Sequence, residues 1–142
     1  MLFFHQLLSF FLYLQENLYF VYLGTKKDSG QAVKDYRERG AASKDIINII
    51  NALTKAMAVA DELREFEELV IEHEDVVSRY MGLEPIKKAT FSDFWGTVKS
   101  LGAWGGDFAL VTSEESASST KEYFRRKLDH DVIFSYRDII LE

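Results

Sequence analysis

The chain contains no cysteine. A disulfide framework, a thiolate zinc site and a cysteine nucleophile are therefore excluded, and a cytoplasmic location is the expectation. Proline occurs once, as Pro85, which leaves room for long uninterrupted helices. Basic charge is the scarcer sign: 17 Lys and Arg stand against 23 Asp and Glu, a net charge of −6 spread along the chain. A nucleic-acid binder would show a basic face, so nucleic acid is not an expected partner. Ser, His and Asp all occur, but no nucleophile elbow does, and hydrolysis finds no support. Internal repeats and low-complexity segments are absent as well.

The composition that remains is that of a packed domain. With 142 residues, 47% of them hydrophobic and 14% aromatic, the chain is long enough for one proper core. Residues 1–14, MLFFHQLLSFFLYL, are very apolar, and the character resumes at 18–23. No Lys or Arg opens that stretch and no small-residue cleavage site closes it, so it does not read as a signal peptide. A transmembrane helix needs about 20 mostly apolar residues. Here His5, Gln6, Ser9, Gln15, Glu16 and Asn17 interrupt the run, and membrane insertion is not expected. Residues 1–15 are treated as an apolar lead-in and 16–142 as the domain; self-association through the lead-in is the partner reading it suggests.

Along the domain, residues 18–23 form a continuous aromatic and β-branched run closed by Gly24, which predicts a buried strand. Ser29 is placed to cap a short helix over 31–39, ended by Gly40. Ser43 caps a clearer helix, with Ile46, Ile49, Ile50, Leu53 and Met57 on one face. A second amphipathic helix is predicted over 61–80. Its stripe is Leu63, Phe66, Val70, His73, Val77 and Tyr80, and its acidic residues, Glu74 among them, mostly face the other way. Gly82 and Pro85 end it. A turn of helix is placed around 92–95. Strands at 98–101 and 107–112 follow, then a polar loop, a helix to about Leu128 with a capping-box spacing at Ser119 and Glu122, a short strand at 132–134 and a terminal turn or helix over 136–141. The order is β, several α, β, β, α, β. That is α+β: the ferredoxin-like split βαβ arrangement, an antiparallel sheet with helices on one face and extra helices in the first crossover.

The most informative stretch is VKSLGAWGGDFALVT, residues 98–112. Three of the chain's eight glycines, Gly102, Gly105 and Gly106, fall within five residues. Such a turn needs positive φ values or close backbone approach, which glycine supplies without a Cβ penalty. Two readings stand side by side: a plain hairpin, and a loop whose free N–H groups approach phosphate oxygens as a nest.

The run Lys99-Ser-Leu-Gly-Ala-Trp-Gly-Gly-Asp-Phe108 resembles the third conserved motif of the GHMP kinases, the family of galactokinase, homoserine kinase, mevalonate kinase and phosphomevalonate kinase. That motif sits between two strands of a ferredoxin-like C-terminal domain. Residues 18–24 resemble the strand entering that domain, and 66–83 the long helix before the motif. The likeness is greatest to a mevalonate-kinase-like subgroup common in Bacteroidetes, and it covers roughly residues 16–142. Two departures stand out. Most members have Gly or Ser where Trp104 stands, so that ring must point away from the ligand or over it. The family's phosphate-cradling Pro-x-x-x-Gly-Leu-Gly-Ser-Ser-Ala loop, which lies in the N-terminal domain, is not in this sequence.

The resemblance implies a C-terminal domain or fragment of an ATP-dependent kinase for a small-molecule substrate, using Mg²⁺ in the complete enzyme and inactive alone, with no cofactor held tightly by this chain and no catalytic residue or metal ligand assigned to it. The residues it places near substrate or phosphate are Lys99, Ser100, Gly102, Ala103, Trp104, Gly105, Gly106 and Asp107, with His73 on the long helix and Ser29 after the first strand. Each has a plainer reading: a strand-end lysine, a turn-holding Asp107, a core Trp104, a core His73. Lys121, Arg125, Arg126 and Lys127 read as a solvated helix face, and 129–131 has ligand types without ligand spacing. The alternative function is a stand-alone ferredoxin-like binding or oligomerisation module without catalysis.

Overall fold

The computed structural model describes residues 14–24, 28–102 and 106–139. Four strands, β1 (Leu18–Tyr22), β2 (Val98–Ser100), β3 (Phe108–Thr112) and β4 (Ile133–Ser135), form an antiparallel sheet in the order β2-β3-β1-β4. Among the described residues there are six α-helices: α1 (Ser29–Arg39), α2 (Lys44–Val59), α3 (Leu63–Met81), α4 (Ile86–Thr90), α5 (Ala117–Leu128) and α6 (Tyr136–Ile139). A short 3-10 turn, Gln15–Asn17, leads into β1. The strand order and the antiparallel pairing are those of the ferredoxin-like α+β fold, with α1–α4 filling the first crossover and α5 the second.

The register explains why β1 reads as a continuous apolar run. Tyr19 and Val21 lie opposite Val111 and Ala109, while Leu18, Phe20 and Tyr22 lie opposite Thr112, Leu110 and Phe108. Alternate residues face opposite sides of a strand, and both sides are packed. On one face Tyr19, Val21, Val98, Ala109, Val111 and Ile133 meet Phe91, Phe94, Tyr123 and Phe124. The rings of Phe94 and Phe124 are 4.8 Å apart and those of Phe91 and Phe124 5.3 Å, tilted edge-to-face geometries that aromatic quadrupoles favour. On the other face Leu18, Phe20 and Leu110 meet Met57, Ala60, Phe66, Val70 and Tyr136. The expectation of helices on one face is thus corrected. α4 and α5 cover one face, and the enlarged crossover sends α2 and α3 to the other, because a central strand apolar on both sides needs cover on both.

Local boundaries follow their caps. Asp28, not Ser29, caps α1, its carboxylate accepting from Gly30 N and Gln31 N. Ser43 Oγ accepts from Ile46 N at α2, as expected. Ser116, not Ser119, caps α5, accepting from Ser119 N at 3.1 Å. Gly82 ends α3 in the left-handed region, φ 64°. The helical turn expected at 92–95 lies earlier, as α4, immediately after Pro85; 92–96 is irregular. Gly96 sits where a Cβ would lie 1.8 Å from the Thr112 carbonyl oxygen, so the chain passes against β3 at a distance only glycine permits. No helix among the described residues is long and apolar enough to cross a membrane.

Candidate functional site

The glycine turn joins neighbouring strands β2 and β3 at the end of the sheet where β1 finishes. Leu101 N donates to Phe108 O at 3.0 Å, closing the hairpin base. Gly102 follows with φ 66°, the positive value the turn requires. Ala103, Trp104 and Gly105 lie outside the described residues. Gly106 is buried and Asp107 half-buried. Leu23 N donates to Asp107 O at 2.7 Å, which fastens the turn to the end of β1 beside Gly24. Asp107 thus fastens the turn through its main-chain oxygen, while its carboxylate Oδ1 is shielded from solvent and has no hydrogen-bond partner among the described residues.

Below the turn the sheet edge is held by α3. Ser100, on the outer strand, donates its N–H to Glu74 Oε1 at 3.0 Å. Lys99 Nζ stands 3.6 Å from Glu74 Oε2 and donates to Ser100 O at 3.2 Å. The Glu74 side chain is 4% exposed and that of Lys99 15%, so this is a buried pair rather than a surface one. Burial pushes the Glu74 carboxyl above its usual range, against the opposing pull of the Ser100 N–H and the Lys99 charge. His73, the preceding residue on α3, is half-buried and its Nδ1 has no hydrogen-bond partner among the described residues. Burial first, and the Lys99 charge second, lower its pKa to about 4. At neutral pH the imidazole is uncharged, and the Lys99 charge is met by Glu74. An anion at the turn would then rely on backbone N–H groups rather than on a free side-chain cation from this cluster.

The structure gathers Lys99, Ser100, Gly102, Gly106 and Asp107 at one end of the sheet and brings His73 to Lys99. It does not bring Ser29 there: Ser29 opens α1, and α1 meets α3 at its other end, where Tyr80 OH donates to Gly40 O at 2.7 Å. The residue missed is Glu74, assigned by charge to the solvent side. Its spacing gives the signal, since Phe66, Val70 and Glu74 recur every fourth position and all three are buried. No group of three His, Cys, Asp or Glu that could hold a metal exists among the described residues. Glu74 is already committed to Ser100 and Lys99, and Asp107 alone does not make a Mg²⁺ site, so the donor set seen here does not fit that ion.

No protein-family model, no curated protein and no solved structure matches the chain.

Proposed function

We propose that the chain is the C-terminal domain, or a fragment carrying it, of an ATP-dependent GHMP-type, mevalonate-kinase-like small-molecule kinase, and that it is inactive alone. The observation that carries this reading is the glycine turn between adjacent strands β2 and β3 of a ferredoxin-like sheet, the setting in which the resembling motif belongs. Phosphoryl transfer asks a protein for positioning and charge stabilisation more than for covalent chemistry. The turn would offer main-chain N–H groups to phosphate oxygens. Asp107 would offer its unpaired carboxylate oxygen to a substrate hydroxyl, and the Glu74–Lys99 pair would fix the strand that leads into the turn. The phosphate-cradling loop would come from a second domain. A coupled ATP-consumption assay of the isolated chain with mevalonate as acceptor should show no turnover. Rates on the order of 1–100 s⁻¹, ordinary for kinases, would overturn the claim of inactivity.

One observation favours the alternative of a binding or oligomerisation module. Val33 and Tyr36 of α1 and Ile47, Ile49 and Val59 of α2 are between 43% and 50% exposed. Exposed apolar side chains mark an interface when they form one contiguous patch. In the kinase reading the missing domain is a candidate cover; in the alternative, a second copy is. Sedimentation distinguishes them: concentration-dependent association of the isolated chain supports the module, and a monomer over a wide range counts against it.

A further inference from the structure

Two hollows adjoin beside α3, between that helix, α4 and the edge of β2. The first, about 320 Å³, is walled by Val70 and Ile71 of α3, Pro85 before α4 and Val98 of β2, and its open surface is almost wholly apolar. The second, about 310 Å³, lies nearer the end of α3, among Asp75, Ser78, Arg79, Pro85 and Lys88, and is the more polar. Asp75, Pro85 and Lys88 line both, so the two form one trough, apolar at one end and polar at the other. Sites for small molecules have this build: an apolar wall with a few polar groups that fix orientation.

The charges along the trough decide which ligand it suits. Glu74, its side chain 4% exposed, is met by the Ser100 N–H and the Lys99 ammonium. Asp75 has Lys88, 3.9 Å away. Lys87 donates to the Phe94 carbonyl and stands over the Phe94 ring, with Asp93 and Glu67 adding attraction. Arg79 is left over. Its Nε donates to the Asp75 main-chain carbonyl at 3.2 Å, and no carboxylate pairs with its guanidinium among the described residues. A cationic ligand would have to displace Lys88 from Asp75, whereas an anion meets Arg79 unopposed. The fork of N–H donors on an arginine suits a carboxylate in particular.

We infer that the trough binds a small amphipathic carboxylate, its aliphatic chain in the recess between Val70, Ile71, Pro85 and Val98 and its head group on the Arg79 guanidinium. Burial of the chain supplies the affinity and the head group the orientation. From Ile71 to Arg79 the helix rises about 12 Å, a span that a chain the length of octanoate matches. This inference does not depend on the kinase reading.

The test titrates the full 142-residue chain with octanoate, 1-octanol and octylammonium, each below its micellar concentration, and follows methyl groups by ¹H–¹³C NMR. Octanoate should shift the Val70, Ile71 and Val98 methyls saturably, with a Kd of about 1 mM or tighter. The alcohol and the ammonium should bind at least about threefold more weakly, as expected for loss of one exposed ion pair. Arg79→Gln should remove the preference of carboxylate over alcohol while leaving octanol binding unchanged. Ile71→Ser, at a side chain 51% exposed and so tolerant of change, should weaken octanoate and octanol alike. Absence of saturable shifts at these methyls would overturn the proposal. So would octylammonium binding as tightly as octanoate, or a carboxylate preference that survives Arg79→Gln.

Discussion

Glu74 lies on the same face of α3 as Phe66 and Val70, and all three side chains are buried. Residue chemistry alone argued for solvent; helical position decided otherwise, because the carboxylate finds an N–H and an ammonium waiting at the sheet edge. Glu74→Gln keeps an acceptor for Ser100 and should cost about 1 kcal/mol in urea unfolding. Glu74→Leu strands both the Ser100 N–H and the Lys99 charge and should cost about 3 kcal/mol, part of which Lys99→Leu restores. A larger loss for Gln than for Leu would contradict the arrangement. His73 gives a pH signature of known sign. Its folded pKa, about 4, lies below the ordinary histidine value of 6.5, so the unfolded chain binds the extra proton between these values. Stability should therefore fall as pH drops from about 6.5 to about 4, and His73→Gln should flatten that slope. Glu74, with its pKa raised in the fold, works the other way: its contribution is present below its unfolded pKa and is lost as pH rises through the folded one. An NMR titration of His73 with a midpoint near 6.5 would refute the burial argument.

At the scale of elements, helical periodicity and the Gly82–Pro85 punctuation located α2 and α3 within a few residues, and apolar runs bounded by glycine or polar turns located all four strands. Helix starts were less legible. Asp28 stands directly before the expected Ser29, and Ser116 three residues before the expected Ser119, and composition does not say at which residue the chain first turns helical. Ser116→Ala should cost about 1 kcal/mol, whereas Ser119→Ala should cost little; the reverse order in thermal unfolding would restore the capping-box reading. Gly96 was not singled out at all, since its constraint comes from a strand 16 residues away. Gly96→Ala should cost about 3 kcal/mol or more, because the obstacle is the Thr112 carbonyl and main chain cannot step aside as a side chain can.

For the whole molecule, the fold class was open to sequence reasoning because the order of elements leaves few topologies. The side on which α3 packs was not, since a strand apolar on both faces is compatible with cover from either. The candidate site was legible as a motif, Gly102 with Gly106 and Asp107, but its brace was not, because Glu74 and Ser100 are 26 residues apart. The kinase reading requires a second domain with a phosphate-cradling loop, encoded next to the segment that begins at residue 16. Sequencing the genomic DNA immediately upstream of the Met1 codon tests this most directly. The account predicts, in frame or displaced by a frameshift, a coding stretch for a Gly-Leu-Gly-Ser-Ser loop within a kinase N-terminal domain. Upstream DNA with no such stretch in any forward frame would contradict it.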